Sequence, residues 1–320
     1  MIFNCTVPLN CKLHQLLAEY LAQRFTYFSR EQWMEKISEG RVTLNNGPAI
    51  TDSFVIGGDT ISYDAGEFDE PACNLDYSII YEDAWFLGVN KPGNLLVHRA
   101  GRSFRNNLIY QLRYVHTPAY PDIHATHRLD RDTSGVVLCA KSIDARAEAG
   151  RLFEMCAVDK KYIAIVHGVV AKSIKRIELP IAKDAASRFS FKQCVCEHGK
   201  DAVTLVDNCI DLHNGYSLLY LTPQTGRTHQ IRVHCKAIGH PLVGDMLYTL
   251  PEDEFGIWLE NRDEYKGKID FYRHALHCAS IGFKHPFTNN SCTIKADLPQ
   301  DMLELGGIDP DLQTEVPVMV

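Results

Sequence analysis

The amino-acid sequence predicts an α+β fold. Helical periodicity is confined to short separate segments, strand-like runs are joined by tight turns, and the most densely charged stretch runs straight into an apolar one. That stretch is His127-Arg128-Leu129-Asp130-Arg131-Asp132-Thr133-Ser134-Gly135. It packs carboxylates, guanidiniums and an imidazole against Val136-Val137-Leu138-Cys139-Ala140, which reads as a buried strand. Surface charge needs no strand to hold it still, whereas a site does.

Taken in order, Leu13, Leu16, Leu17 and Leu21, with Tyr20, recur at helical spacing up to about Arg24. Ser29 suits the N-cap of a second helix with Trp33, Met34 and Ile37 on its inner face, and Gly40 stops it. Arg41-Val42-Thr43-Leu44 enters an Asn46-Gly47 turn as a strand, and Thr60-Ile61-Ser62-Tyr63 follows as another. Residues 64–75 are acidic, with Gly66 and Pro71, and read as a linker. A second region opens with Ile79-Ile80-Tyr81 and a strand from Phe86, which Pro92-Gly93 turns; Leu95 to His98 continues in strand fashion.

Past the charged stretch, Ser142 caps a helix carrying Ala145, Ala149, Leu152, Phe153 and Cys156. Lys160 to Gly168 reads as a strand covered on both faces. Residues 202–210 and 216–222 flank His213-Asn214-Gly215 as a hairpin. Ile231, His234, Cys235 and Ile238 share one face of a helix that Gly239 ends. Residues 251–270 read as irregular, Arg273 to Pro286 as one more strand pair, and the chain beyond Gly306 as a loose tail.

Bulk numbers exclude several classes. Hydrophobic content of 45% and charged content of 23% are ordinary globular values, so bulk disorder is not expected. No apolar run approaches the roughly 18 residues of a membrane span, and no signal peptide is evident at the N-terminus. Eleven cysteines, an odd number, read as reduced thiols in a cytoplasmic protein rather than as a disulfide framework. Cys194-Val195-Cys196-Glu197-His198 lacks a second ligand pair at zinc spacing, so strand cysteines are the better reading and no metal is expected. A net charge of −7 argues against indiscriminate coating of nucleic acid, yet leaves room for a local basic cleft.

Asp130 is the leading candidate for a reacting group. Asp132, with Thr133 and Ser134 after it, fits a turn better, because such side chains fold back on local backbone. A reacting carboxylate needs a partner that keeps it ionised. Arg227, in Thr225-Gly226-Arg227-Thr228 at a helix entrance, is the candidate partner, with a surface or phosphate-binding arginine as the bland alternative. Tyr162 is by default a core tyrosine, functional only if its ring faces the same cleft.

His127-Arg128-Leu129-Asp130, with Thr133-Ser134-Gly135, resembles the central motif of the RluA-type pseudouridine synthases. Asn90-Lys91-Pro92-Gly93 with Val97-His98 resembles their first motif, and Lys161-Tyr162 with Ala164, Val166 and Gly168 their tyrosine motif. Thr225 to His234, followed by Gly239-His240-Pro241-Leu242 and Gly244-Asp245, resembles their arginine motif; Ala275-Leu276-His277 and His285-Pro286 match the closing pair. Five blocks in order discriminate far better than one. Residues 10–64 resemble the alpha-L RNA-binding module, although acids outnumber Lys12, Arg24, Arg30, Lys36 and Arg41 there.

The resemblance implies a pseudouridine synthase fold: an alpha-L module over residues 1–65, a linker over 66–78, a catalytic domain over 79–300 on a mixed, mostly antiparallel sheet with a central cleft, and a tail over 301–320. It implies an RNA isomerase in which uridine's N1–C1′ bond breaks, the uracil turns while held, and C5 bonds to C1′. Asp130 is then the catalytic aspartate. Tyr162 packs on the uracil and assists proton removal from C5, Arg227 pairs with Asp130, and Leu276 lines the uracil pocket. Arg128 fills the gap left by the flipped nucleotide, and Lys91 and Arg232 contact backbone phosphates. Substrate and product are isomers, so no cofactor is expected. The expected partner is ribosomal or transfer RNA, with no membrane, and the protein is expected to be a monomer. Two rivals remain: a silent RNA-binding protein of the same fold, and a hydrolase of N-glycosidic bonds that would release free uracil.

Overall fold

Every residue of the strand Ser134–Ala140 is buried, and this strand lies near the middle of a ten-stranded sheet. The computed structural model describes residues 2–9, 15–25, 28–66, 70–265, 269 and 271–309. Along the main path of the sheet the order is Arg176–Glu178, Val203–Asp211, Tyr216–Pro223, Val158–His167, Leu276–Lys284, Ser134–Ala140, Phe86–Lys91 and Ser78–Glu82. Ser134–Ala140 runs parallel to Leu276–Lys284, and the other pairings are antiparallel. The sheet is therefore mixed and mostly antiparallel, with helices beside it: an α+β protein, as the sequence indicated.

The hairpin Val203–Asp211 and Tyr216–Pro223 turns where His213 and Gly215 take positive φ. Ser142 caps the helix Ile143–Glu154 by accepting from the Ala145 N–H, and Ala145 and Ala149 bury its inner face. Phe86, Leu87, Leu112, Leu138 and Ile281 belong to the apolar core behind the charged stretch. Among the described residues no helix is long and apolar enough to cross a membrane.

The described residues divide into two units. Those of Met1–Ala72 and Arg99–Arg105 form one, and those of Cys73–His98 and Asn106–Val320 the other. In the first, a sheet of Ile2–Thr6, Thr60–Asp64, Val42–Leu44 and Gly47–Pro48 accompanies the helices Leu17–Arg24 and Arg30–Ser38 around Leu17, Leu21, Trp33, Ile37 and Ile61. Ser29 and Gln32 form a capping box: each side chain accepts the other's backbone N–H. The start of the first expected helix, residues 13 and 14, lies outside the described residues, as do 67–69 of the expected linker and the end of the expected tail; Gln15–Leu16 is a short strand and the helix begins at Leu17.

Four expectations need correction. Leu95 to His98 is not a strand; the Leu95 N–H is taken by the Arg131 carbonyl, and the Leu96 and Val97 carbonyls accept from the start of the helix Leu108–Tyr114. Within 251–270 a helix spans Glu252–Glu260, its first turn rich in acids that suit a helix N-terminus. The span from Arg273 to Pro286 holds one strand, Leu276–Lys284, whose hairpin partner is Ser291–Lys295. The last expected domain boundary falls inside a helix, Gln300–Gly306.

Gly135 is required by the parallel pairing. Its φ is +107°, and a Cβ there would stand 2.1 Å from the Cys278 carbonyl oxygen. Backbone sits against backbone, so no side chain can yield. Gly135→Ala should cost about 3 kcal/mol or more in urea denaturation; a loss under about 1 kcal/mol would contradict the close approach.

Candidate active site

The charged stretch is held from behind by its own side chains. The neutral ring of His127 accepts the Leu138 N–H through Nε2 at 3.0 Å, and burial with the Lys160 cation nearby pushes this imidazole down to about 4. Thr133 Oγ1 meets His274 Nε2 at 2.7 Å, Ser134 Oγ meets His277 Nδ1 at 2.9 Å, and Asp132 accepts from Arg262 Nη2 at 2.8 Å. Asp132, Thr133 and Ser134 were expected to fold onto local backbone. Their side chains instead reach across to other segments, while a turn is still closed by the Thr133 N–H on the Asp130 carbonyl.

Asp130 therefore stands at the open end of a stapled loop. It lines a cleft of about 300 Å³ together with Arg128, Lys160, Tyr162, Arg227, His229, Arg232 and Leu276. Its Oδ2 accepts from Arg232 Nη1 at 2.9 Å. The other edge of that guanidinium is spent on Asp245, with Nε to Oδ2 at 2.7 Å and Nη2 to Oδ1 at 2.8 Å. The Tyr248 ring lies 5.1 Å from the guanidinium carbon. Burial alone would raise the Asp130 carboxyl; the facing His229 and Arg232 outweigh it and hold the group well below the usual carboxylate range. The arrangement can therefore present an ionised carboxylate on the cleft lining at neutral pH.

This geometry corrects the expected partner. Arg227 is exposed on the cleft lining, and its Nε donates to the Asp201 carbonyl at 2.9 Å rather than to Asp130. Arg232 takes its place and is correspondingly unavailable for phosphates. Lys91 is also withdrawn as a phosphate contact. It is fully buried, and its Nζ donates to the carbonyls of Pro92, Leu95 and Arg131 at 2.8, 2.9 and 3.1 Å. Burial pushes this ammonium down to about 7 against the pull of Asp132 and Asp130.

Tyr162 lies on the strand Val158–His167 where its register against Leu276–Lys284 slips by one residue, and such slips re-aim side chains. It lines the cleft, as does Leu276. Burial raises the Tyr162 phenol well above its ordinary value. Arg128 is exposed, and its side chain makes no hydrogen bond or ion pair among the described residues. Sequence reasoning quoted His229 and Asp245 within the arginine motif without giving them a role, and it did not single out Tyr248. A buried arginine implies carboxylates around it, but burial of Arg232 was not readable from one helix's periodicity.

Residues 86–237 match the family model described as RNA pseudouridylate synthase. The "Ribosomal large subunit pseudouridine synthase D" of Vibrio cholerae is 33% identical over 305 residues, covering 92% of this chain and 91% of that protein. The chain belongs to the RluA-type family of RNA pseudouridine synthases. It is an isomerase acting on RNA. A Bacillus subtilis member named "Uncharacterized RNA pseudouridine synthase YlyB" is 32% identical over 296 residues, 90% of this chain and 91% of its own. Human RNA pseudouridylate synthase domain containing 1 superposes with a TM-score of 0.56 at 28% identity, over 75% of this chain and 89% of its own.

Two outcomes follow from the geometry. Asp245→Ala leaves half of the Arg232 fork buried without its carboxylate, and should destabilise the protein by about 3–5 kcal/mol in denaturant titration. His127, His229 and His277 sit at about 4 in the folded chain against an ordinary 6.5. The unfolded chain takes up protons across that window that the folded one refuses. The stability that these three histidines contribute should thus be full above pH 6.5 and fall steadily towards pH 4; a Tm independent of pH across this window would contradict it.

Proposed function

We propose that the protein converts specific uridines of large-subunit ribosomal RNA to pseudouridine in the cleft around Asp130. The support for the substrate is the name of relatives such as the "Ribosomal large subunit pseudouridine synthase D" of Vibrio cholerae. The single observation that carries the site is the Asp130 carboxylate, tied through Oδ2 to Arg232 on the lining of a cleft that Tyr162 and Leu276 share. In this reading Asp130 engages the bond between uracil N1 and ribose C1′. The uracil is retained between Tyr162 and Leu276, turns, and bonds to C1′ through C5; the C5 proton is lost and N1 ends protonated. Tyr162 works by packing. Its raised phenol keeps its proton at neutral pH, which disfavours it as the base at C5.

The target nucleotide must leave its stack, at a cost of a few kcal/mol when paired. Arg128, exposed on the cleft and unpaired among the described residues, fills the gap. Arg227 takes the phosphate-contact role first expected of Lys91 and Arg232. The first unit, with two short helices, the hairpin Val42–Leu44 to Gly47–Pro48 and the closing strand Thr60–Asp64, acts as an alpha-L-type module that helps hold the RNA. The enzyme acts as a monomer in the cytoplasm and needs no cofactor, since the reaction is an isomerisation.

Mapping pseudouridines in ribosomal RNA from cells with and without the gene tests this reading. At least one site should vanish in the deletion, return with the wild-type gene, and stay absent with Asp130→Asn. No vanishing site, or full restoration by Asp130→Asn, would overturn it. Arg128→Ala should lower turnover while changing the salt slope of RNA binding by no more than about one charge; an unchanged turnover would remove Arg128 from the flipping step.

A further inference from the structure

His229 faces the same oxygen of Asp130 that Arg232 does. Its Nε2 lies 3.7 Å from Oδ2, and its Nδ1 lies 2.9 Å from the Tyr248 hydroxyl. The imidazole is nine-tenths buried, and burial together with Arg232 pushes it down to about 4, so at neutral pH it carries one proton. Tyr248 decides where that proton sits. The Gln193 N–H donates to the Tyr248 oxygen at 3.1 Å. Burial raises the phenol, which therefore keeps its own hydrogen. The acceptor in reach of that hydrogen is His229 Nδ1. An imidazole that accepts at Nδ1 bears its hydrogen at Nε2, which is the nitrogen aimed at Asp130.

We infer that His229 is a positioning residue for the reaction: Tyr248 locks its tautomer so that Nε2–H, with Arg232, occupies Oδ2 of Asp130 and leaves Oδ1 as the oxygen offered to the substrate. Oδ1 has no hydrogen-bond partner among the described residues, whereas Oδ2 faces both cationic and neutral donors. At 3.7 Å the imidazole stands just beyond a hydrogen bond, within the small shift that a bound nucleotide produces in an open site. The backbone supports the aim. His229 precedes the helix Gln230–Ala237 with φ +56° and ψ +19°, a left-handed conformation that a non-glycine residue adopts at a cost. That conformation accompanies a side chain directed into the cleft instead of one capping the helix, for no capping hydrogen bond is made.

This inference rests on the proposed reaction, and its test separates the two. Single-turnover pseudouridine formation is followed on ribosomal RNA purified from the deletion cells, with RNA affinity and Tm measured in parallel. His229→Ala should lower the single-turnover rate about 10- to 100-fold while RNA affinity stays within about 3-fold. His229→Gln, whose amide nitrogen can stand where Nε2 stood, should recover at least about 3-fold of that loss. Tyr248→Phe keeps the ring against Arg232 while removing the tautomer lock and the acceptor of the Gln193 N–H, so at equal Tm it should fall between wild type and His229→Ala. It also carries the test should His229→Ala be unstable. A His229→Ala rate within about 3-fold of wild type, or a Gln variant no faster than Ala at equal Tm, would overturn the positioning role. Absence of pseudouridine with the wild-type enzyme would instead overturn the proposed reaction.

Discussion

One guanidinium organises the site. Arg232 divides its edges between Asp245 behind it and Asp130 in front. A lysine has no planar fork and could not hold two carboxylates in fixed directions. The pair behind fixes the arginine, and the fixed arginine then fixes the Asp130 carboxylate. Burial of so many charges is costly in itself, and the compensation is that each carboxylate meets donors at hydrogen-bond distance. The price of this arrangement is sensitivity: remove one member and an uncompensated charge is left inside.

The loop that bears Asp130 is held by groups reaching it from other segments. Lys91 gathers three carbonyls from two segments, one of them that of Arg131, next to Asp130. Thr133 and Ser134 each engage a buried histidine of the 274–277 segment, and Gly135 lets the two segments lie backbone to backbone. The parallel pairing of Ser134–Ala140 with Leu276–Lys284 thus shapes the cleft. It brings Leu276 and the cleft's aspartate together from positions 146 residues apart in sequence, as their numbers give.

Much of this was legible in the sequence because local chemistry and tertiary context agree. Ser29 and Ser142 cap helices as their residue types require, and Val136 to Ala140 is a strand buried on both faces. The motif blocks pointed to Asp130, Tyr162 and Leu276, and these three line one cleft. What failed shares one cause. Lys91, Arg227 and Arg232 were sorted by residue type, and residue type does not say which cation is buried. The helix Gln230–Ala237 turns Arg232 inward against Asp245, whereas Arg227 lies before that helix on the exposed rim. Likewise Glu252–Glu260 escaped notice because its acidic first turn looked like a solvated run rather than the start of a helix.

The most direct test of this account compares the two arginines. Single-turnover pseudouridine formation should fall at least about 100-fold in Arg232→Lys, which keeps the charge but loses the fork, and less than about 10-fold in Arg227→Ala. The reverse order, with Arg227→Ala the more damaging and Arg232→Lys nearly active at full stability, would show that Asp130 is held by a different partner during the reaction.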